Sequence, residues 1–148
     1  MLGKLTRWLR MLGYDTKYVV NLDDNTLIEV AKTEERVLLT RDVELCGLAR
    51  RNQIDVYLVE GNNSQERLAA LSRKFGMKLE LDPDTSRCSK CNSKIVPVRK
   101  EVILKDVPSG TAKFHERFWR CPKCHKVYWQ GAHWKNIIKT LEKALSQT

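Results

Sequence analysis

Apolar residues near the start of the chain recur at helical spacing. Leu2, Leu5, Trp8, Leu9 and Leu12 share one stripe, which predicts a helix over residues 2–12. Lys4, Arg7 and Arg10 fall on another stripe of that helix, and Gly13 is a natural stop. Residues 16–20 are few and partly β-branched, which predicts a strand. Asp23 and Asp24 open a second helix that runs to about residue 32. Residues 37–40 form an apolar run of the buried-strand kind. A helix over residues 43–50, a strand at 56–59, a helix over 64–75 with Leu68, Leu71 and Phe75 inward, and a short strand at 79–81 complete the pattern. Strands alternating with helices imply βαβ units, a largely parallel sheet, and a site at the carboxyl ends of its strands. Asp82-Pro83-Asp84-Thr85 is a turn-rich junction, after which cysteine, lysine and short β segments dominate. The expected units are therefore residues 1–85 and 86–148. A last helix over residues 134–145 places Ile137, Ile138, Leu141 and Leu145 on one face.

Composition narrows the class. Of 148 residues, 42% are hydrophobic, enough for a packed core. No apolar run approaches the roughly 20 residues that span a bilayer, and the first residues do not resemble a secretory signal. The expectation is a cytoplasmic protein with no membrane partner. Cys46 stands alone in an apolar stretch and reads as a small buried hydrophobe. Charge is divided unevenly. Residues 1–85 carry 13 basic and 14 acidic side chains, whereas residues 86–148 carry 14 and 4, a net +10. Such asymmetry points to a polyanionic partner, most often nucleic acid.

The other four cysteines form two pairs, Cys88-x2-Cys91 and Cys121-x2-Cys124, with 29 residues between them. Each turn sets two sulfurs on one side, and two turns close a tetrahedral shell of soft ligands, which predicts zinc. A closed four-thiolate shell leaves no open position, so the zinc is expected to be structural. His125 and His133 are then polar or packing residues rather than ligands. Phe118, Trp119, Tyr128 and Trp129 flank the second pair among Arg117, Arg120, Lys123 and Lys126. They are either the module's core or, where exposed, stacking surfaces for bases.

Asp42 follows the predicted strand at 37–40, and Asp23 and Asp24 open the preceding helix. Converging carboxylates there would hold Mg²⁺ or Mn²⁺ for phosphodiester cleavage, with Lys4, Arg7 and Arg41 near the phosphates. The same acids also suit helix N-caps, and spacing alone leaves both readings open.

Several motifs in order are jointly specific: Met1-Leu2-Gly3-Lys4-Leu5-Thr6-Arg7-Trp8-Leu9-Arg10, Leu12-Gly13-Tyr14-Asp15-Thr16, Leu38-Leu39-Thr40-Arg41-Asp42, Arg87-Cys88-Ser89-Lys90-Cys91-Asn92 and Val127-Tyr128-Trp129. Together they resemble the Mut-seven C-terminal ribonuclease domain family, a PIN-like nuclease fold followed by a zinc ribbon. The resemblance implies an α/β fold and metal-dependent RNA cleavage, with Asp24 and Asp42 catalytic. It further implies Lys4, Arg7, Arg10 and Arg41 on the substrate, and Cys88, Cys91, Cys121 and Cys124 on zinc. RNA is the expected partner, free or within a ribosome or other RNA–protein complex. Family members carry a strand ending in aspartate just before the Met-Leu-Gly-Lys motif. This sequence starts at that methionine, so either an upstream segment supplies the strand and its acid, the preferred reading because Lys4, Arg7, Asp24 and Asp42 remain, or the strand and with it the activity has been lost.

Overall fold

The N-terminal stripe folds as expected in the computed structural model, which describes residues 2–148. Helix α1 (Gly3–Met11) buries Leu5, Trp8 and Leu9 and leaves Lys4 and Arg7 exposed. Capping side chains start the next helices. Asp23 Oδ1 accepts from the Thr26 N–H at 2.7 Å and opens α2 (Asp24–Thr33). Strand β1 (Leu38–Thr40) follows. Asp42 Oδ1 then accepts from the N–H groups of Glu44 at 2.9 Å and Leu45 at 3.2 Å, opening α3 (Val43–Arg51). After strand β2 (Val56–Leu58), Asn63 caps α4 (Ser64–Phe75) in the same way, and Gly76 ends it at φ 65°.

Strands β1 and β2 pair in parallel through α3, with Leu38 opposite Val56 and Leu39 opposite Tyr57. Alternation sends these pairs to opposite faces. Leu38 and Val56 pack with Ile28, Ala31, Leu45, Ala49 and Ile54 on the α2 and α3 side. Leu39 and Tyr57 pack with Leu5, Trp8, Leu9, Leu68 and Leu71 on the α1 and α4 side. The sheet is thus covered by helices on both faces and, among the described residues, has two strands.

Two expected strands do not form. Residues 16–20 find no partner, and Tyr18, Val19 and Val20 stay exposed, so β-branching alone does not make a strand. Residues 79–81 also lack a partner; Leu79 is buried by packing into the α1–α4 core.

In the C-terminal segment, β3 (Val96–Val98), β4 (Phe118–Arg120) and β5 (Val127–Tyr128) form an antiparallel sheet. A 3-10 turn at Lys100–Val102 and the short α5 (Thr111–Phe114) lie between β3 and β4. The last helix, α6 (Trp134–Ser146), leaves this sheet and packs along α4. Its Leu141 and Ala144 join the core built by α1 and α4. The junction is likewise tied back: Ser86 Oγ donates to Met11 O at 2.6 Å, and the Arg87 N–H to Arg10 O at 2.8 Å. No helix among the described residues is long and apolar enough to cross a membrane.

Candidate functional site

Among the described residues, the second edge of β1 has no strand beside it. There a mostly apolar groove of about 780 Å³ runs between α1, α2 and β1, with Leu5, Leu9, Leu27, Val30 and Leu39 among its walls. Thr40, Arg41 and Asp42 line it at the carboxyl end of β1, where α/β sheets place their ligands. Residues 14–19 and Leu22 also line it, as one rim.

The predicted site residues divide in this setting. Thr40 is buried, and its Oγ1 accepts from the Asp42 N–H at 3.0 Å. Arg41 reaches across the strand ends, donating through Nη1 to Val59 O at 2.9 Å and Gly61 O at 2.8 Å. Asp42 is exposed, with Oδ1 engaged as the α3 cap; Oδ2 takes no part in those bonds. Asp24 lies in the first turn of α2, exposed, with Asp23 taking the cap beside it. Hydrogen bonding to Thr26 holds the Asp23 carboxyl below its usual range. Lys4 and Arg7 are exposed on α1 and do not line the groove. Arg10 is only 7% exposed; its Nε donates to Thr16 O at 2.9 Å and its Nη1 to Ser89 O at 3.0 Å. Among the described residues Asp24 and Asp42 belong to no group of three or more potential metal ligands.

The four cysteines do converge. Their sulfurs all lie within 4.8 Å of one another, with Cys88–Cys124 at 3.5 Å and Cys91–Cys121 at 3.3 Å. A tetrahedral zinc with 2.3 Å bonds to sulfur needs S–S edges of about 3.8 Å, so this donor set fits it. The two turns are built alike. The Asn92 N–H donates to Cys88 O, and the His125 N–H to Cys121 O, both at 2.9 Å. Both residues are left-handed, at φ 73° and 67°. His125 is therefore a turn position, and His133 precedes α6 as its N-cap. The thiols differ in acidity. Burial works to raise Cys91, but hydrogen bonds from the Ser93 backbone and side chain outweigh it and bring it to about 6. Cys124 is pushed up to about 11: the Lys126 backbone N–H favours its thiolate, but burial and the neighbouring sulfurs prevail. Four thiolates this close repel, and a divalent cation relieves that repulsion.

Residues 1–141 match the family model described as the Mut7-C RNAse domain. The chain belongs to the Mut7-C RNAse domain family. No curated protein matches it, and no solved structure does. Membership places the chain in a nuclease-type family, and its four-cysteine cluster could bind zinc.

In the Mut7-C chain the structure also decides between the two readings of the aromatics beside the second cysteine pair. Phe118 and Trp119 are 2% and 1% exposed, so they form the ribbon's core rather than a stacking surface. The Tyr128 hydroxyl is hydrogen-bonded to Cys88 Sγ at 3.0 Å. In the C-terminal segment Phe114 is 82% exposed on α5 beside Lys113. Its mark in the sequence is position: it follows the Gly110 turn, outside any apolar periodicity.

Proposed function

We propose that this Mut7-C chain is a metal-dependent ribonuclease whose site is the carboxyl edge of β1. What supports the reading most is the family match together with Thr40-Arg41-Asp42 lining the groove at that edge. Asp24 and Asp42 would hold Mg²⁺ or Mn²⁺, with a further carboxylate from a segment entering beside β1. When bound, the ion activates water and offsets charge during in-line attack on an RNA phosphodiester. Arg41, fixed by two carbonyls, presents its remaining N–H groups toward phosphate, and Lys4 and Arg7 add positive charge on α1. Arg10 takes a positioning part, because its guanidinium already bridges Thr16 and Ser89. The structural zinc ribbon recruits the strand, drawing on the +10 segment and on Phe114 as a base-stacking surface.

The test is RNA cleavage in Mn²⁺ or Mg²⁺ by this chain and by a version extended upstream of Met1. The extended protein should cleave, and its Asp42→Asn form should not. An inert extended protein, or equal cleavage by Asp42→Asn, removes the catalytic reading. A second reading, a non-catalytic RNA-binding or ribosome-associated module, is favoured by Asp42 serving as a cap and, among the described residues, belonging to no group of three or more potential metal ligands. It predicts salt-sensitive RNA binding and no cleavage by either protein.

A further inference from the structure

Residues 12–23 link α1 to α2 without regular structure, so individual bonds fix their path. The path matters, because Tyr14, Thr16, Tyr18 and Leu22 form one rim of the groove and the segment leads into Asp23 and Asp24. Both backbone groups of Thr16 are bonded, one by the first cysteine turn and the other by Arg10 of α1, which itself reaches that turn. Its N–H donates to Asn92 Oδ1 at 3.0 Å. Its carbonyl accepts from Arg10 Nε at 2.9 Å, while Nη1 of the same guanidinium donates to Ser89 O at 3.0 Å. Asn92 also donates through Nδ2 to Asp15 Oδ1 at 2.6 Å.

Asn92 follows Cys91 directly, and its orientation is set by the turn: φ is 73°, and its own N–H donates to Cys88 O at 2.9 Å. The direction of its side chain therefore depends on the closure of the four-sulfur shell. Metal-thiolate sites of this kind order their turns only when the shell is closed.

We propose that the first cysteine turn is a latch on the groove: metal held by the four cysteines fixes Asn92, and Asn92 with Arg10 fixes the rim at Thr16. Asn92 is then a positioning residue, joining a zinc site in one part of the chain to the shape of a groove in another. The latch concerns the groove's form whatever the groove binds, so it does not depend on the nuclease reading.

Amide hydrogen exchange of the full chain tests this, with one equivalent of zinc and after chelation. Asn92→Gly removes the side-chain amide while accepting the left-handed backbone. With zinc still bound, that variant should exchange its Thr16 amide about threefold to tenfold faster, as for one lost hydrogen bond. The Leu68 and Leu71 amides should not change. Chelation should accelerate Thr16 by a similar factor in the original chain and add nothing in Asn92→Gly. Asn92→Asp keeps the acceptor for Thr16 but faces Asp15 with a second carboxylate, and should fall between the two. Unchanged Thr16 exchange in the zinc-loaded Asn92→Gly protein overturns the latch. So does chelation that frees the Trp119 amide but not Thr16, or that releases Leu68 and Leu71 together with Thr16.

Discussion

Arg10 separates a structural reading from a substrate-binding one. Family resemblance sets this arginine on RNA, whereas the structure buries it between two carbonyls, at 2.9 Å from Thr16 O and 3.0 Å from Ser89 O. A hydrogen bond from a charged donor contributes about 1.5–3 kcal/mol. Two would give about 3–6 kcal/mol, an upper bound, because the bonds share one side chain and water can reach the half-buried Thr16 and Ser89 once it is gone. Arg10→Ala should therefore cost about 2–4 kcal/mol, a large share of the roughly 5–15 kcal/mol of a small domain. Arg10→Lys keeps the charge but not the fork, and should recover less than half. With zinc saturating, urea unfolding should show a midpoint lowered by roughly 1–2 M for a slope near 2 kcal/mol per M. RNA affinity, measured where both proteins are folded, should change less than threefold. An unaltered midpoint with a tenfold loss of RNA affinity would refute this reasoning and return Arg10 to the substrate.

Zinc affinity should rise with pH between 6 and 8, because Cys124, held up at about 11, must release its proton to bind. Competition with a chromophoric chelator measures this, and a flat profile contradicts it. Asp15 and Asp84 both have carboxyls below their ordinary 3.8, the first through Asn92 and then Arg36, the second through the Trp119 indole N–H and then Arg117. A depressed carboxyl adds stability above its ordinary value and loses it as pH falls through the folded value. Urea midpoints should thus drop below pH 4, and Asp84→Asn should flatten that drop; an unchanged acid profile would count against the ion pairing. Lys135, Lys139 and Lys143 lie four residues apart on α6, exposed, about 6 Å of rise between each, and none joins an ion pair among the described residues. Replacing all three by Gln should reduce the slope of log affinity against log salt by about 2 for single-stranded RNA, and an unchanged slope would exclude that face.

Local chemistry made part of this fold legible. Leucine periodicity placed α1 and α4, acidic caps placed the starts of α2 and α3, and cysteine spacing marked the cluster, because each signal lies within a few residues. What depends on distant partners did not show. Residues 16–20 have strand-like side chains but no neighbouring strand. The amphipathic face of α6 gave no hint that it would pack on α4 rather than on the ribbon. Arg10 looks like one more charge on a basic stripe until Ser89, 79 residues away, supplies its carbonyl. The candidate acids illustrate the same limit: spacing allowed caps or metal ligands, and in the fold Asp42 is a cap through Oδ1, while Oδ2 takes no part in those bonds.

The most direct measurement of the central claim is Mn²⁺ binding followed by paramagnetic broadening of backbone amides. Stoichiometric Mn²⁺ should broaden residues 40–44 and the start of α2 around Asp24 in a chain extended upstream of Met1, and Asp42→Asn should abolish the effect. Broadening that avoids both segments, or that persists undiminished in Asp42→Asn, would contradict it.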